Sequence, residues 1–478
     1  MKHALIGCLG GILLTARLCG LDLNTVEYFN SDVNVIPMIP VEKQSAKISV
    51  RIRNNQMNMM TPVEVKVSEE GGKLIGKVNT EPIPAKEERV VMIDWIPHTN
   101  GYCKIKVEIN SDKDKSSGEI TVPVVAHQMY FPWFGGHIAG NEKLKYANVV
   151  MAVEGSNTAY WKNRGAITCL WKGVIKEIKT PVEYTNYLRQ GLSNLPISAN
   201  GIMIDEMGNY TDAAILAMPQ FQGLQDFNQN SPEYFTCLWI CGSLRASYCN
   251  ITKNLYRKKG VDLLLLECYS NFLVPEFKSY SRYAYYDQRI EMARQQDIMH
   301  NTLITLGITD NADKFNLEPY EIEDEVRYVR RKAPEMPGVG FFHANGIKKE
   351  MVPIADDLCR KYYIEPVLQI WSHDLQVDNL TPKAGEEFRI IANFYNIGGM
   401  DAEKAKVKIY LDDEIIATEI IRVPALKTGE SPKPATVMVK TKPSKSKYYM
   451  LRAEISPLSP ATVLDGRVER SVYVAENK

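Results

Sequence analysis

Hydrophobic and polar positions follow two different rules along this 478-residue chain. Near both ends they alternate. Lys47-Ile48-Ser49-Val50-Arg51-Ile52-Arg53, Val63-Glu64-Val65-Lys66-Val67 and Lys104-Ile105-Lys106-Val107-Glu108-Ile109 each place apolar residues at every second position. That period belongs to a strand with one face in a core and the other in water. Asn54-Asn55, Gly71-Gly72 and Asn100-Gly101 supply turns between them. Short alternating strands at this spacing predict a β-sandwich over 21–125. The pattern returns over 367–478. There Glu387–Phe394 and Ala405–Leu411 read as strands, Asn396-Ile397-Gly398-Gly399 as a turn and Asp412-Asp413 as a hairpin tip.

Between these ends the rule changes. Eight short apolar runs stand out: Ile120–Ala126, Ala147–Val153, Ala166–Trp171, Gly201–Asp205, Tyr234–Ile240, Val261–Glu267, Thr302–Ile308 and Gly338–Phe342. Amphipathic stretches at 181–194, 243–259, 281–300, 319–332 and 347–362 predict helices among them. Val261-Asp262-Leu263-Leu264-Leu265-Leu266 is almost wholly apolar, as expected of a strand buried on both faces of a parallel sheet. Eight strands over roughly 240 residues fit a (β/α)8 TIM barrel, with the domain placed at 126–366. The other arrangement, an open doubly wound sheet, usually has a glycine-rich phosphate turn after its first strand, and none is present. The predicted architecture is a central TIM barrel between two all-β, immunoglobulin-like sandwiches.

Composition narrows the function. Lys and Arg total 57 and Asp and Glu total 57. This neutral balance argues against a nucleic-acid partner, which requires a basic surplus. Residues 1–20 read as a secretory signal: Lys2 and His3 precede the apolar run Ala4–Leu14, which is too short to span a bilayer. Leu5-Ile6-Gly7-Cys8 looks like a lipobox but lies too near the start, so the expectation is a secreted, extracellular or periplasmic protein without a transmembrane segment. Of nine cysteines, Cys8 and Cys19 fall in this leader. The rest are scattered without zinc spacing and read mostly as buried thiols, with one disulfide among Cys237, Cys241 and Cys249 left open.

In a TIM barrel the chemistry gathers at the C-terminal ends of the strands. There the sequence offers Glu154 after the second run, Trp171 ending the third, Asp205-Glu206 and Tyr210 after the fourth, Trp239 in the fifth, Glu267 and Tyr269 at the sixth and His343 after the eighth. Trp133 follows the first run and Trp161 the second. Aromatic faces stack on sugar rings and carboxylates bind hydroxyls; cleaving a glycosidic bond takes two carboxyl groups on opposite sides of it. Asp205, Glu206 and Glu267 are therefore the candidate catalytic residues. Glu154, Trp133, Trp161, Trp171, Trp239, Tyr210, Tyr269 and His343 are the candidate sugar contacts. Strand alternation lets only one of Asp205 and Glu206 face the mouth, and the sequence leaves that choice open. Asp310, after the seventh run, is a further acid near the mouth. Trp95 and Trp371 read as core of the β-modules. The helix Tyr280–Tyr286 reads as a core face through Tyr283 and Tyr286, and Arg327, Arg330, Arg331 and Lys332 as a solvated helix end. No cofactor is required by this chemistry, and no serine-nucleophile elbow, P-loop, zinc-protease or EF-hand motif occurs.

Two resemblances add to this reading. Pro382-Lys383-Ala384-Gly385-Glu386, Asn393 with Asn396-Ile397-Gly398, and Val407-Lys408-Ile409-Tyr410 before the acidic turn resemble the bacterial immunoglobulin-like module CARDB. Trp95-Ile96-Pro97 with Gly101-Tyr102 is a looser match to the same group. Gly201-Ile202-Met203-Ile204-Asp205-Glu206 resembles the fourth-strand signature of barrel glycoside hydrolases. That resemblance implies a catalytic acid at Asp205 or Glu206, as nucleophile, and an acid/base at Glu267 after strand six. The chain departs from the largest barrel glycosidase clan, lacking an Asn-Glu pair at strand four and a Glu ending strand seven, where Asp310 stands. The expectation is a secreted glycoside hydrolase acting on a neutral or mildly charged glycan. The alternative is a non-catalytic glycan-binding or cell-surface adhesion protein with an inactive barrel.

Overall fold

The computed structural model describes residues 21–22, 33–37, 39–111, 115–134, 144–152, 158–173, 177–193, 199–205, 211–231, 234–240, 261–269, 278–308, 318–343, 351–427 and 430–477. The leader, Glu154, Glu206, Tyr210, Asp310, Cys241, Cys249 and the helix expected at 243–259 lie outside the described residues.

The alternating segments form two sandwiches. In the first, Ala46–Asn54 pairs with Val33–Ile36 and Glu88–Trp95, and a second sheet runs Leu74–Asn79, Glu64–Glu69, Gly101–Asn110, Lys115–Val124. Their inward residues, among them Ile48, Val50, Val65, Val67, Ile105 and Val107, make one core with Trp95. The indole of Trp95 donates to Glu69 Oε1 at 2.9 Å, which satisfies its buried N–H. In the C-terminal sandwich, Phe388–Asn396 and Ala435–Thr441 face a sheet ordered Glu414–Val423, Ala402–Leu411, Lys447–Pro457, Arg467–Val474. Asp412 adopts a φ of 54° at the tip of its hairpin, a conformation Asp tolerates better than most residues. Trp371 is only half-buried and packs on Tyr395, with ring centroids 4.5 Å apart.

The centre is one eight-stranded parallel sheet. Its strands are β1 (Met129–Phe134), β2 (Val149–Ala152), β3 (Ile167–Lys172), β4 (Gly201–Ile204), β5 (Phe235–Ile240), β6 (Leu263–Cys268), β7 (Thr302–Gly307) and β8 (Gly338–His343). Neighbours pair in that order from β2 to β8, and β8 then pairs with β1 in parallel, Gly338 opposite Met129 through His343 opposite Phe134. The sheet curls around an inner cluster containing Phe131, Val149, Met151, Ile167, Cys169, Met203, Phe235, Cys237, Trp239, Leu263, Leu265 and Leu303. Among the described residues no ladder joins β1 to β2. The sequence accounts for this edge: Pro132 has no N–H to donate, and β2 is four residues long.

One expected strand is corrected. Ile120–Ala126 is not the first barrel strand; its residues to Val124 pair antiparallel with Gly101–Asn110 and close the N-terminal sandwich. The first parallel strand is Met129–Phe134, read from sequence as the loop that follows. Two adjacent apolar segments competed for one place, and Phe131, fully buried inside the curl, takes it.

Helices flank the sheet: α1 (Thr158–Asn163), α2 (Pro181–Ser193), α3 (Asp212–Ala217), α4 (Pro219–Asn230), α5 (Lys278–Gln295), α6 (Pro319–Lys332) and α7 (Met351–Cys359). Their apolar faces meet the outward strand residues Ile202, Ile204, Leu264, Leu266, Ile304 and Leu306 in a second, outer cluster. Tyr286, Ile290 and Ala293 of α5 belong to it, as their spacing predicted.

The basic end of α6 departs from expectation. Arg330 is 0% exposed, not solvated. Its guanidinium lies over the Tyr363 ring at 4.6 Å, donates to Pro334 O at 3.1 Å and also to Ile397 O of the C-terminal module. Arg331 pairs with Asp465 at 3.1 Å. Ile397 itself packs in the outer cluster of the curled sheet. A Cβ on Gly398 would stand 1.9 Å from Glu365 O, so only glycine permits this approach of two backbones. The first module contributes at the same place: Gln44 Nε2 donates to Gly399 O at 3.3 Å. The Asn396–Gly399 turn thus joins all three regions of the chain.

Candidate functional site

The side chains of the curled sheet alternate between the inner and outer clusters, and this parity sorts the acids. On β4, Ile202 and Ile204 point to the outer cluster and Met203 to the inner one. Asp205 follows with the inward parity of Met203. Its backbone N–H donates to Lys172 O at 2.9 Å, so the residue remains tied to β3 one step past the end of its own strand. On β6, Leu264, Leu266 and Cys268 face outward while Leu263 and Leu265 face inward. Glu267 and Tyr269 continue the inward row, both half-buried.

These rows converge at the C-terminal end of the sheet. The Trp171 indole, on the inward row of β3, donates from Nε1 to Asp205 Oδ2 at 3.1 Å and is 41% exposed. Tyr269 stacks on Phe342 of β8, with centroids 4.6 Å apart and planes 16° from parallel. Phe342 meets Trp239 edge-on at 5.8 Å, and Trp239 meets Phe131 at 5.4 Å. The aromatic layer Phe131–Trp239–Phe342–Tyr269 therefore floors the mouth, and the carboxylates stand on its rim. Burial drives the Tyr269 phenol well above its usual range. The negative charges of Glu267 and Asp205 add to that rise, and a hydrogen bond with Trp239 opposes it. The phenol consequently stays protonated.

The end of β6 is fixed from outside by residues that sequence reading passed over. Tyr285 of α5 donates to the Glu267 carbonyl at 3.1 Å, and Arg289, one turn on, donates to Tyr285 Oη at 3.2 Å. The i,i+4 spacing of Tyr285 and Arg289 is visible in sequence; that it pins a strand end is not.

Of the expected site residues, the structure brings together Asp205, Glu267, Tyr269, Trp171 and Trp239. Trp239 contributes from beneath: it is fully buried and supports Tyr269, which corrects its expected role as a sugar platform. Trp161 is also corrected, since it is buried in the outer cluster between α1 and the sheet. Trp133 and His343 lie on β1 and β8, and their side chains are outside the described residues, as are Glu154, Glu206 and Tyr210. Cys237 is a free thiol beside Cys169 in the inner cluster. Among the described residues no three His, Cys, Asp or Glu side chains gather closely enough to hold a metal ion. No described helix is long and apolar enough to cross a membrane.

Comparison with known families bears on the C-terminal module. The CARDB family model matches residues 365–459. Residues 365–459 are a CARDB domain. The match begins where Glu365 leaves the central region and takes in the Asn396–Gly399 turn that docks on it. A CARDB domain from Pyrococcus furiosus, solved in complex with di-metal ions, is 12% identical with a TM-score of 0.19 and covers 24% of this chain and 91% of its own. Over the whole chain, a β-glucuronidase of Bacteroides uniformis is 11% identical with a TM-score of 0.33, covering 96% of this chain and 62% of its own. A putative β-galactosidase of Bacteroides fragilis is 10% identical with a TM-score of 0.31, covering 94% of this chain and 75% of its own. The chain thus spans 62% of the length of that glucuronidase. No curated protein matches the sequence.

Proposed function

We propose that the curled sheet closes as a (β/α)8 barrel and hydrolyses an O-glycosidic bond, with Asp205 and Glu267 as the working acids. The observation that carries this reading is the pair of inward acids at one end of the sheet, Asp205 past β4, held by the Trp171 indole at 3.1 Å, and Glu267 on β6. Both act on the same phenol from strands two apart. Neighbouring strands are about 4.8 Å apart, so the backbones of β4 and β6 stand roughly 10 Å from each other. Side chains directed toward the axis shorten that gap into the range that a glycosidic carboxyl pair spans. Asp205, held by the indole N–H, serves as nucleophile or as base toward water; Glu267, above the aromatic floor, delivers the proton to the leaving oxygen. Trp171 offers an exposed ring to the sugar, and Tyr269 a hydroxyl. The substrate is a neutral or mildly charged poly- or oligosaccharide, met outside the cytoplasm after export, and the two β-modules brace the barrel.

A hydrolysis screen over aryl glycosides and soluble polysaccharides, comparing wild type with Asp205→Asn and Glu267→Gln, tests the reading. Product from the wild type and about 10²- to 10⁴-fold less from each variant is the expected result. Equal product from all three removes these acids from the chemistry. Glycan binding without hydrolysis would instead favour a non-catalytic glycan-binding or adhesion protein.

A further inference from the structure

Trp171 has an unusual position for a tryptophan. It stands on the inward row of β3, above the aromatic floor, yet 41% of it is exposed. Its one polar atom is engaged with Asp205 Oδ2 at 3.1 Å. The partner is held independently, because the Asp205 N–H is bonded to Lys172 O in continuation of the β3–β4 ladder. The hydrogen bond therefore joins two residues whose backbones are already fixed side by side, and it restrains rotation of the Asp205 carboxylate. A donor to the charged form also favours ionisation. An indole N–H bond lies in the ring plane and occupies neither ring face, and the residue keeps 41% of its surface exposed.

Resting on the glycosidase reading above, we infer that Trp171 is a positioning residue for Asp205 as well as the sugar platform next to it. One side chain sets the orientation and charge of the acid through Nε1 and stacks a pyranose through its ring, so that the sugar is seated beside the carboxylate that acts on it. The ligand class is a pyranoside with an apolar ring face. Floor residues such as Trp239 cannot serve this way, because they are covered.

Trp171→Phe separates the two roles, since phenylalanine keeps an aromatic face and lacks the N–H. The expected result is a kcat lower by about tenfold with KM within about twofold. The acid limb of the pH–rate profile moves to higher pH, since the lost donor raises the Asp205 pKa. Trp171→Ala adds a rise in KM. A second measurement needs no turnover: tryptophan emission of the full chain is titrated from acid to neutral pH, and the difference between wild type and Trp171→Phe isolates Trp171. Its emission should follow a carboxyl titration that disappears in Asp205→Asn. A kcat and acid limb unchanged in Trp171→Phe, or an emission step that survives Asp205→Asn, overturns the inference. If the wild type hydrolyses nothing, the glycosidase reading falls, and the emission titration alone decides whether Trp171 governs the charge of Asp205.

Discussion

The two ends of the curled sheet are built from the same strands and differ in almost everything else. At the base, the inward residues are Val149, Ile167, Cys169, Phe235 and Leu263, and the N-terminal module adds Ile39, Val41 and Val125 to the same cluster. At the mouth the same rows continue into Trp171, Asp205, Glu267 and Tyr269. Period-two alternation carries both sets, so the difference lies in what each end can do with a charge. A carboxylate at the base would be sealed from water by the sandwich and would have to lose its charge. At the mouth it retains solvent and hydrogen-bond donors. The base is a sealed apolar core, and the mouth carries polar groups within reach of water.

The strongest way to break this contrast is at the acids. Asp205→Asn or Glu267→Gln should lower glycan hydrolysis by about 10²- to 10⁴-fold. Thermal unfolding should leave the midpoint within a few degrees of wild type, because neither residue is fully buried. A large fall in the midpoint would make these acids part of the scaffold instead. At the base the expectation reverses. Phe235→Ala removes a fully buried ring and should cost about 3–5 kcal/mol in urea unfolding. Residual folded protein should retain its kcat.

The junction with the CARDB domain sharpens the same contrast. Arg330→Met leaves the carbonyls of Pro334 and Ile397 without their guanidinium donor, and about 1–3 kcal/mol of stability should be lost. The hydrolysis pH profile should not move. Thiol reactivity offers a smaller effect. Burial raises Cys268 to about 12 and also raises Cys169, Cys237 and Cys359. In native protein at pH 8 these four should resist an aromatic disulfide reagent, and all should react after unfolding. Fast labelling of Cys169 or Cys237 would show the base open to solvent.

The smallest expected effect is a pH dependence. Burial depresses the imidazole pKa values of His127 and His300. The unfolded chain therefore binds these protons more readily than the native one. Their contribution to stability is full above the unfolded histidine pKa of about 6.5 and is lost as pH falls through the lower folded values. His127→Gln should flatten that slope in unfolding midpoints measured from pH 7 to pH 5. An unchanged slope would place the acid sensitivity elsewhere.

Much of this organisation was legible in the sequence. Apolar runs located β2 to β8 because a strand buried on both faces has few polar residues to disguise it. The CARDB strands and the Asp412 hairpin tip were legible because alternation and turn chemistry are local. The misplacement of β1 came from two neighbouring apolar segments with equal claims, which only ladder pairing distinguishes. Trp161 and Trp239 were misread for one reason: indole suits a core as well as a sugar, and burial is a property of the neighbours. Arg330 was misread because the helix end that suits its charge is covered by a turn 67 residues away.

By itself, the sequence determined seven of the eight parallel strands, the helices at 181–193, 278–295, 319–332 and 351–359, and where Asp205 and Glu267 lie relative to strand ends. These follow from periodicity and backbone propensity, which act over a few residues. Tertiary structure decided that Asp205 stands on the inward row, that Trp171 holds it, that Tyr269 lies under the influence of both acids and that Ile397 packs into the outer cluster of the curled sheet. Each of these depends on register between strands or on contact between modules. Register is set by summed packing across the sheet, and no single segment carries that information.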